Sequence, residues 1–228
     1  MEMESLKELY VDELKDLWSA ETQITKALPK MIKAATHPKL KKAFNTHLKQ
    51  TERQIKRLER IFKELDESPR GKKCVGMEGL LKEGSELIKE KPEADVLDAG
   101  LIAAAQHVEH YEMAGYGCVR TWARQLGEER HAELLQETLD EEELTDKLLT
   151  ELAETSINID AQTGSDEEED EKPSRGRSGG KKTGARKTAS KSAASSNADE
   201  EGESDEDDVD ADTDDEVVGV GGGRAGSM

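Results

Sequence analysis

Four apolar stripes at helical spacing leave this chain one class of fold. The first runs through Leu6, Leu9, Leu14, Leu17, Ile24, Leu28 and Met31. The second runs through Leu40, Phe44, Leu48, Ile55, Leu58 and Phe62. The third is rich in Ala and Gly, and the fourth carries Leu134, Leu135, Leu139, Leu148, Leu149 and Leu152. Recurrence every three or four residues puts each set on one face of a helix. Helices are therefore expected over about residues 5–33, 39–65, 95–125 and 129–154. Ser5 and Glu8 have capping-box spacing, Thr36-His37-Pro38 is a break followed by a helix start, and Gly127 punctuates the end of the third helix. Pro29 is out of place in the first helix and should kink it or loosen its last turn. No segment holds a strand pattern.

The connections decide the topology. The first is short, so the first two helices should be antiparallel neighbours. Residues 67–94 form a longer excursion, with a Ser68-Pro69-Arg70-Gly71 turn, a short helix over Met77–Lys89, and Pro92 to end it. That length allows a crossing of the bundle and makes the third long helix parallel to the second. The expected fold is all-α: a ferritin-like four-helix bundle over residues 1–158, with one long crossover containing a short helix.

From about residue 159 the apolar pattern stops. Acidic runs at Asp166–Glu171 and Asp199–Glu216 flank Lys172–Lys191, which holds eight basic and no acidic side chains. Such block-charged, low-complexity sequence is read as a disordered tail, residues 159–228. The net charge is −19, of which residues 1–160 contribute −9 (33 acidic, 24 basic) and the remainder −10. Acidity spread over both parts argues against nonspecific nucleic-acid binding by the folded domain. The basic block could still touch nucleic acid, although a solvating role fits its acidic flanks better. Two cysteines, Cys74 and Cys118, make no disulfide framework. Cys74 reads as a loop thiol and Cys118 as a small core residue. No stretch has the roughly 20 apolar residues of a membrane span, so a cytoplasmic protein is expected.

Polar residues interrupt each stripe near mid-helix. Glu21, Glu109 and Glu142 fall on or beside the core-facing stripes of three helices, and His47, Thr51 and Gln54 stand at the same depth in the other. A carboxylate is rarely buried without a partner. Carboxylates converging from several helices are most simply explained by a shared cation. In a four-helix dimetal site, two helices each give a Glu and two each give Glu-x-x-His. Against that template, Glu21 and Glu109 can serve as the lone Glu ligands. Glu142 opens the last motif, but Thr145 stands where His is expected; Asp146, one residue on, is a substitute candidate. Thr51 and Gln54 occupy the Glu and His places of the second helix, with His47 one turn earlier. Glu112 and His110 flank Glu109 as further candidates, while Tyr111 and Tyr116 read as packing residues or hydrogen-bond donors. His107 and His131 are assigned to the surface, and Glu128, Glu129, Glu141 and Glu143 to a solvated face. A ligand set of carboxylates with one imidazole suits Fe²⁺ or Mn²⁺.

Four segments carry a family resemblance: YVDELKDLWSAETQITKALPKMIKAA, HLKQTERQIKRLERIF, LIAAAQHVEHYEMAGYGCVRTWA and LLQETLDEEELTDKLLTELAE. With KALPKM, EHYE and LDEE as the specific motifs, residues 4–154 closely resemble the YciE/YciF-type ferritin-like family. The resemblance implies a ferritin- or rubrerythrin-like bundle, a homodimer, an association with stress responses and a metal site. It implies a dinuclear iron or manganese centre that binds iron, or oxidises it with oxygen or peroxide. The ligands expected on this chain are Glu21, His47, Gln54, Glu109, Glu112, Glu142 and Asp146. The alternative is a non-enzymatic oligomeric scaffold whose metal site has decayed, since the Glu-x-x-His histidines are missing.

Overall fold

The computed structural model describes residues 3–163. Its elements are α1 (Leu6–Ala34), α2 (Pro38–Glu64), α3 (Val75–Glu90), α4 (Ala94–Gln125) and α5 (Glu129–Leu152), then a π-helical turn (Ala153–Ile157) and α6 (Asn158–Thr163). No strand occurs among the described residues. The four long helices lie within a residue or two of the expected spans. The helical course reaches Thr163, past the expected boundary at 158. The low-complexity tail, including the basic block Lys172–Lys191, falls outside the described residues.

Local chemistry accounts for the helix ends. Ser5 Oγ accepts from the Glu8 amide at 3.2 Å and donates to the Glu8 carboxylate at 2.9 Å. Pro29 lies within α1, yet the helix continues to Ala34. Pro38 opens α2, where its missing N–H leaves no bond unmade. The His37 side chain makes no capping bond there. The turn before α2 is tied down by α4: the buried Asp98 carboxylate accepts from Thr36 N at 2.8 Å, Thr36 Oγ1 at 2.6 Å and His37 N at 2.7 Å.

Side-chain contacts establish the topology. Thr36 meets Asp98 while Asp16 meets Tyr111, so α1 and α4 are antiparallel. His47 faces Thr145 and Arg57 faces Glu141 and Glu137, so α2 and α5 are antiparallel. Gln106 bonds Asp146 and Arg120 bonds Gln136, which makes α4 and α5 antiparallel. It follows that α2 and α4 run parallel on a diagonal, with the segment containing α3 as the crossover. That segment is held to α1 where Cys74 N donates to Ser19 Oγ at 2.9 Å. Close approach of α1 and α4 depends on Gly115, where an added Cβ would lie 2.8 Å from Leu17 Cδ2.

The core is divided in two. One apolar cluster includes Ile24, Leu28, Leu40, Phe44, Leu101 and Leu149. The other includes Tyr10, Leu14, Leu17, Leu58, Phe62, Tyr116 and Leu135. Along every long helix the two sets are separated by the polar positions singled out above: Glu21 in α1, His47–Gln54 in α2, Glu109 and Glu112 in α4, and Glu142 and Thr145 in α5. The π-helical turn extends the first cluster by bringing Ala153 and Ile157 into it.

Asp98 makes three charge-assisted bonds that no other group replaces. Asp98→Ala is expected to lower the unfolding free energy by about 2–4 kcal/mol. Urea denaturation should show a reduced midpoint with an unchanged slope.

Candidate metal centre

Each side chain of the polar layer faces inward because its helix face is otherwise apolar and must be buried. His47, Glu109, Glu112 and Glu142 are all buried, and one potential ligand atom from each lies within 4.8 Å of the others. Donors about 2.1 Å from a single ion can be at most about 4.2 Å apart, so the four are close to coordinating distance already. His47 Nε2 is 3.2 Å from Glu109 Oε1, and its Nδ1 is 3.9 Å from Glu142 Oε2 and 3.5 Å from Thr145 Oγ1. Glu109 and Glu112, three residues apart, share one face of α4.

Glu21 is fully buried beside this group but outside the set of four. Tyr116 OH donates to one of its oxygens. Gln54 is also adjacent: its Nε2 donates to the Glu142 carboxylate and, at 3.1 Å, to Glu141. Asp146 lies apart from the cluster. It is partly exposed, accepts from Gln106 at 3.1 Å and sits 3.2 Å from His110 Nε2. One residue beyond Thr145 on a helix, it is turned about 100° away from the buried face. His110 is itself exposed. Thr51, in the place of a ligand, donates to its own helix at the His47 carbonyl.

Electrostatics set this layer apart from the other buried acids. Asp98 has its bonds from Thr36 and His37, and Asp16 has Tyr111 OH at 2.8 Å and Lys72 at 3.5 Å. The layer holds Glu21, Glu109, Glu112 and Glu142 with no Lys or Arg among them. Arg57, the near cation, is taken by Glu141 at 2.7 Å and Glu137 at 3.2 Å. Burial, then the neighbouring Glu142 carboxylate, pushes the Glu109 and Glu21 carboxyls well above the usual range. Glu112 is raised too, by burial and then by Glu21 and Glu142. Burial pushes His47 downward, so it is no counter-ion. Of the nine buried side-chain polar atoms without a hydrogen bond among the described residues, six belong to Glu21, His47, Gln54, Glu109, Glu112 and Glu142. Unpaired ligand atoms of four acids, converging in the core with no cationic side chain among them, fit a divalent cation.

Residues 5–162 match the family model described as a domain of unknown function, DUF892. The chain belongs to this family. The resemblance to the YciE/YciF-type proteins holds over the same span. The YciF protein of Escherichia coli K12 is 44% identical over 163 residues, covering 71% of this chain and 98% of that protein. The crystal structure of the E. coli protein, described as a stress protein, aligns with a TM-score of 0.66 over 68% of this chain and 99% of that one. YcfI of Rhodopseudomonas palustris, described as a candidate structural protein, is 41% identical with a TM-score of 0.64, over 65% of this chain and 95% of that one.

In this DUF892 chain several residues lie elsewhere than the pattern suggests. His131, assigned to the surface, is 3% exposed, with its ring against Tyr10, Glu64 and Glu128. Cys74 is buried at the start of α3, its Sγ 3.0 Å from Tyr111 OH, while Cys118 is exposed. The loop thiol and the core thiol thus exchange environments. Cys118 lies on the outward face of α4, and the α3 crossover folds Cys74 inward. Glu141 is half-buried, not part of a solvated face. Burial pushes its carboxyl up, but bonds from Arg57 and Arg53 outweigh this and hold it below the usual range. Its neighbour Glu142 had a readable signal, the core stripe. Glu141 had only Arg57 across the seam, which no single-helix pattern shows.

A pH dependence follows. The folded chain keeps protons on Glu21, Glu109 and Glu112 at pH values where the unfolded chain, at about 4.5, has released them. More protons bound in the folded state means that stability falls as pH rises through the folded values. His47 acts in the opposite sense below its ordinary 6.5, so the fall should be clearest above that pH. Chelator-treated protein is expected to lose stability as the pH is raised above 6.5, read from its denaturation midpoint. Denaturation midpoints of chelator-treated Glu109→Gln should show a shallower decline.

Proposed function

We propose that the buried layer holds a dinuclear divalent-metal centre, with iron the fitting metal, and that the protein binds Fe²⁺ and supports its oxidation by a small oxidant. The observation that carries this is the set of four buried carboxylates with no cationic side chain among them, closing on His47. Four negative charges balance two divalent ions. His47, Glu109, Glu112 and Glu142 would hold the ions, with Glu21 alongside, and iron bound there would supply one-electron steps (2 Fe²⁺ + H₂O₂ + 2 H⁺ → 2 Fe³⁺ + 2 H₂O).

The chain's own residues do the rest. Tyr116 orients Glu21, and Gln54 orients Glu142 while linking it to the Arg57-bound Glu141. The two apolar clusters keep bulk water away, which strengthens every charge interaction between them. The stress description of the E. coli relative fits a protein that sequesters iron or consumes oxidant, and a homodimer in that role is part of the proposal. A second reading, a structural scaffold, draws on Thr51 and Thr145 at ligand positions and on the description of the R. palustris relative.

Anaerobic Fe²⁺ titration of the full chain separates the two. Saturable binding near two ions per chain is expected, and Glu109→Ala with Glu142→Ala should weaken it at least ten-fold while circular dichroism stays helical. No stoichiometric binding by the unsubstituted protein would leave the scaffold reading standing alone.

A further inference from the structure

Two cavities meet at one thin wall beside the layer. The outer one, of about 300 Å³, opens on the surface between α1, α3 and α4. The inner one, of about 20 Å³, has His47 and Glu109 as its only polar lining residues. Ala27, Met31, Leu81 and Val108 line both. The separation is therefore one layer of side chains. Met31 is unbranched at Cβ and adapts readily. Leu81 is only half-buried, and α3, which carries it, has a single fully buried residue, Met77.

The chemistry of this path selects what can use it. The inner cavity has room for about one molecule of water size. Its lining is apolar up to the two ligands, so a hydrated cation entering here would lose its water without replacement. At the outer cavity the charged lining is Lys26, Lys30, Lys82 (paired with Glu86 at 3.8 Å) and Glu78 (paired with Lys73), which leaves the mouth net positive. That balance disfavours Fe²⁺ at the mouth and is indifferent to a neutral molecule.

We propose that this wall is the entry for a small neutral oxidant of the dioxygen class, delivered to the His47–Glu109 edge of the layer separately from the metal. The proposal rests on the iron-binding reading for its purpose but not for its test. Methyl NMR of the full-length, chelator-treated protein under dioxygen pressure reads the path directly. Paramagnetic relaxation at the methyls of Ile24 and Val108 is expected to exceed several-fold that at Leu58 and Leu139, buried to the same degree in the other cluster. Ala27→Phe or, separately, Leu81→Phe should abolish the excess at Ile24 and Val108 while Fe²⁺ affinity stays within two-fold. Uniform relaxation across both clusters would overturn the route, as would an excess that survives both substitutions. Failure of Fe²⁺ to bind would remove the iron reading and leave the relaxation map to decide the route.

Discussion

The desolvation of four glutamates in the middle of the bundle is the constraint around which the rest is arranged. An isolated carboxylate in a dry core is expensive enough that it stays protonated or finds a cation. Here each of the four long helices brings polar groups to the same level, and the apolar clusters above and below close that level off. The arrangement is poor for stability by itself, since an apolar replacement of similar volume commonly does as well or better. The same acids that weaken the metal-free fold would turn binding energy into folding energy if divalent ions bound there.

Arg57 and Glu141 show how the boundary of the layer is drawn. Their pairing sits at the α2–α5 seam, one side chain away from Glu142. By holding Arg57 outside, Glu141 keeps a guanidinium from neutralising the buried group. Gln54 fits between as a neutral spacer that donates to both carboxylates. A carboxylate at position 54 would add a further acid to the layer, whereas glutamine leaves the count as it is.

The helices and their connectivity were legible because each long segment carries its apolar residues at one period, with caps at Ser5 and breaks at Pro38 and Gly127. Most of the polar layer was legible for the same reason, because a charged residue on an apolar stripe is conspicuous. What could not be read was set by contacts across the bundle. Asp146 stood as a substitute for the missing histidine on a one-dimensional count, yet a single residue turns it to Gln106 and His110. His131 sits where charged neighbours suggest a surface, but α1 covers it with Tyr10. Cys74 is buried because the crossover folds back on Ser19 and Tyr111, a path no local pattern announces.

Asp98 has a further implication, for the order in which the bundle can be completed. The α1–α2 hairpin is contiguous in sequence, joined by a short turn, and would be the natural first unit to form. Its turn is nevertheless finished by a carboxylate that lies about sixty residues further along the chain. Until α4 docks, the Thr36 and His37 amides of that turn face water, and the hairpin is free to fray at that end. The crossover thus does more than connect two diagonal helices. It returns the chain to the place where its own earlier turn was left open, and so couples the start of the domain to its second half.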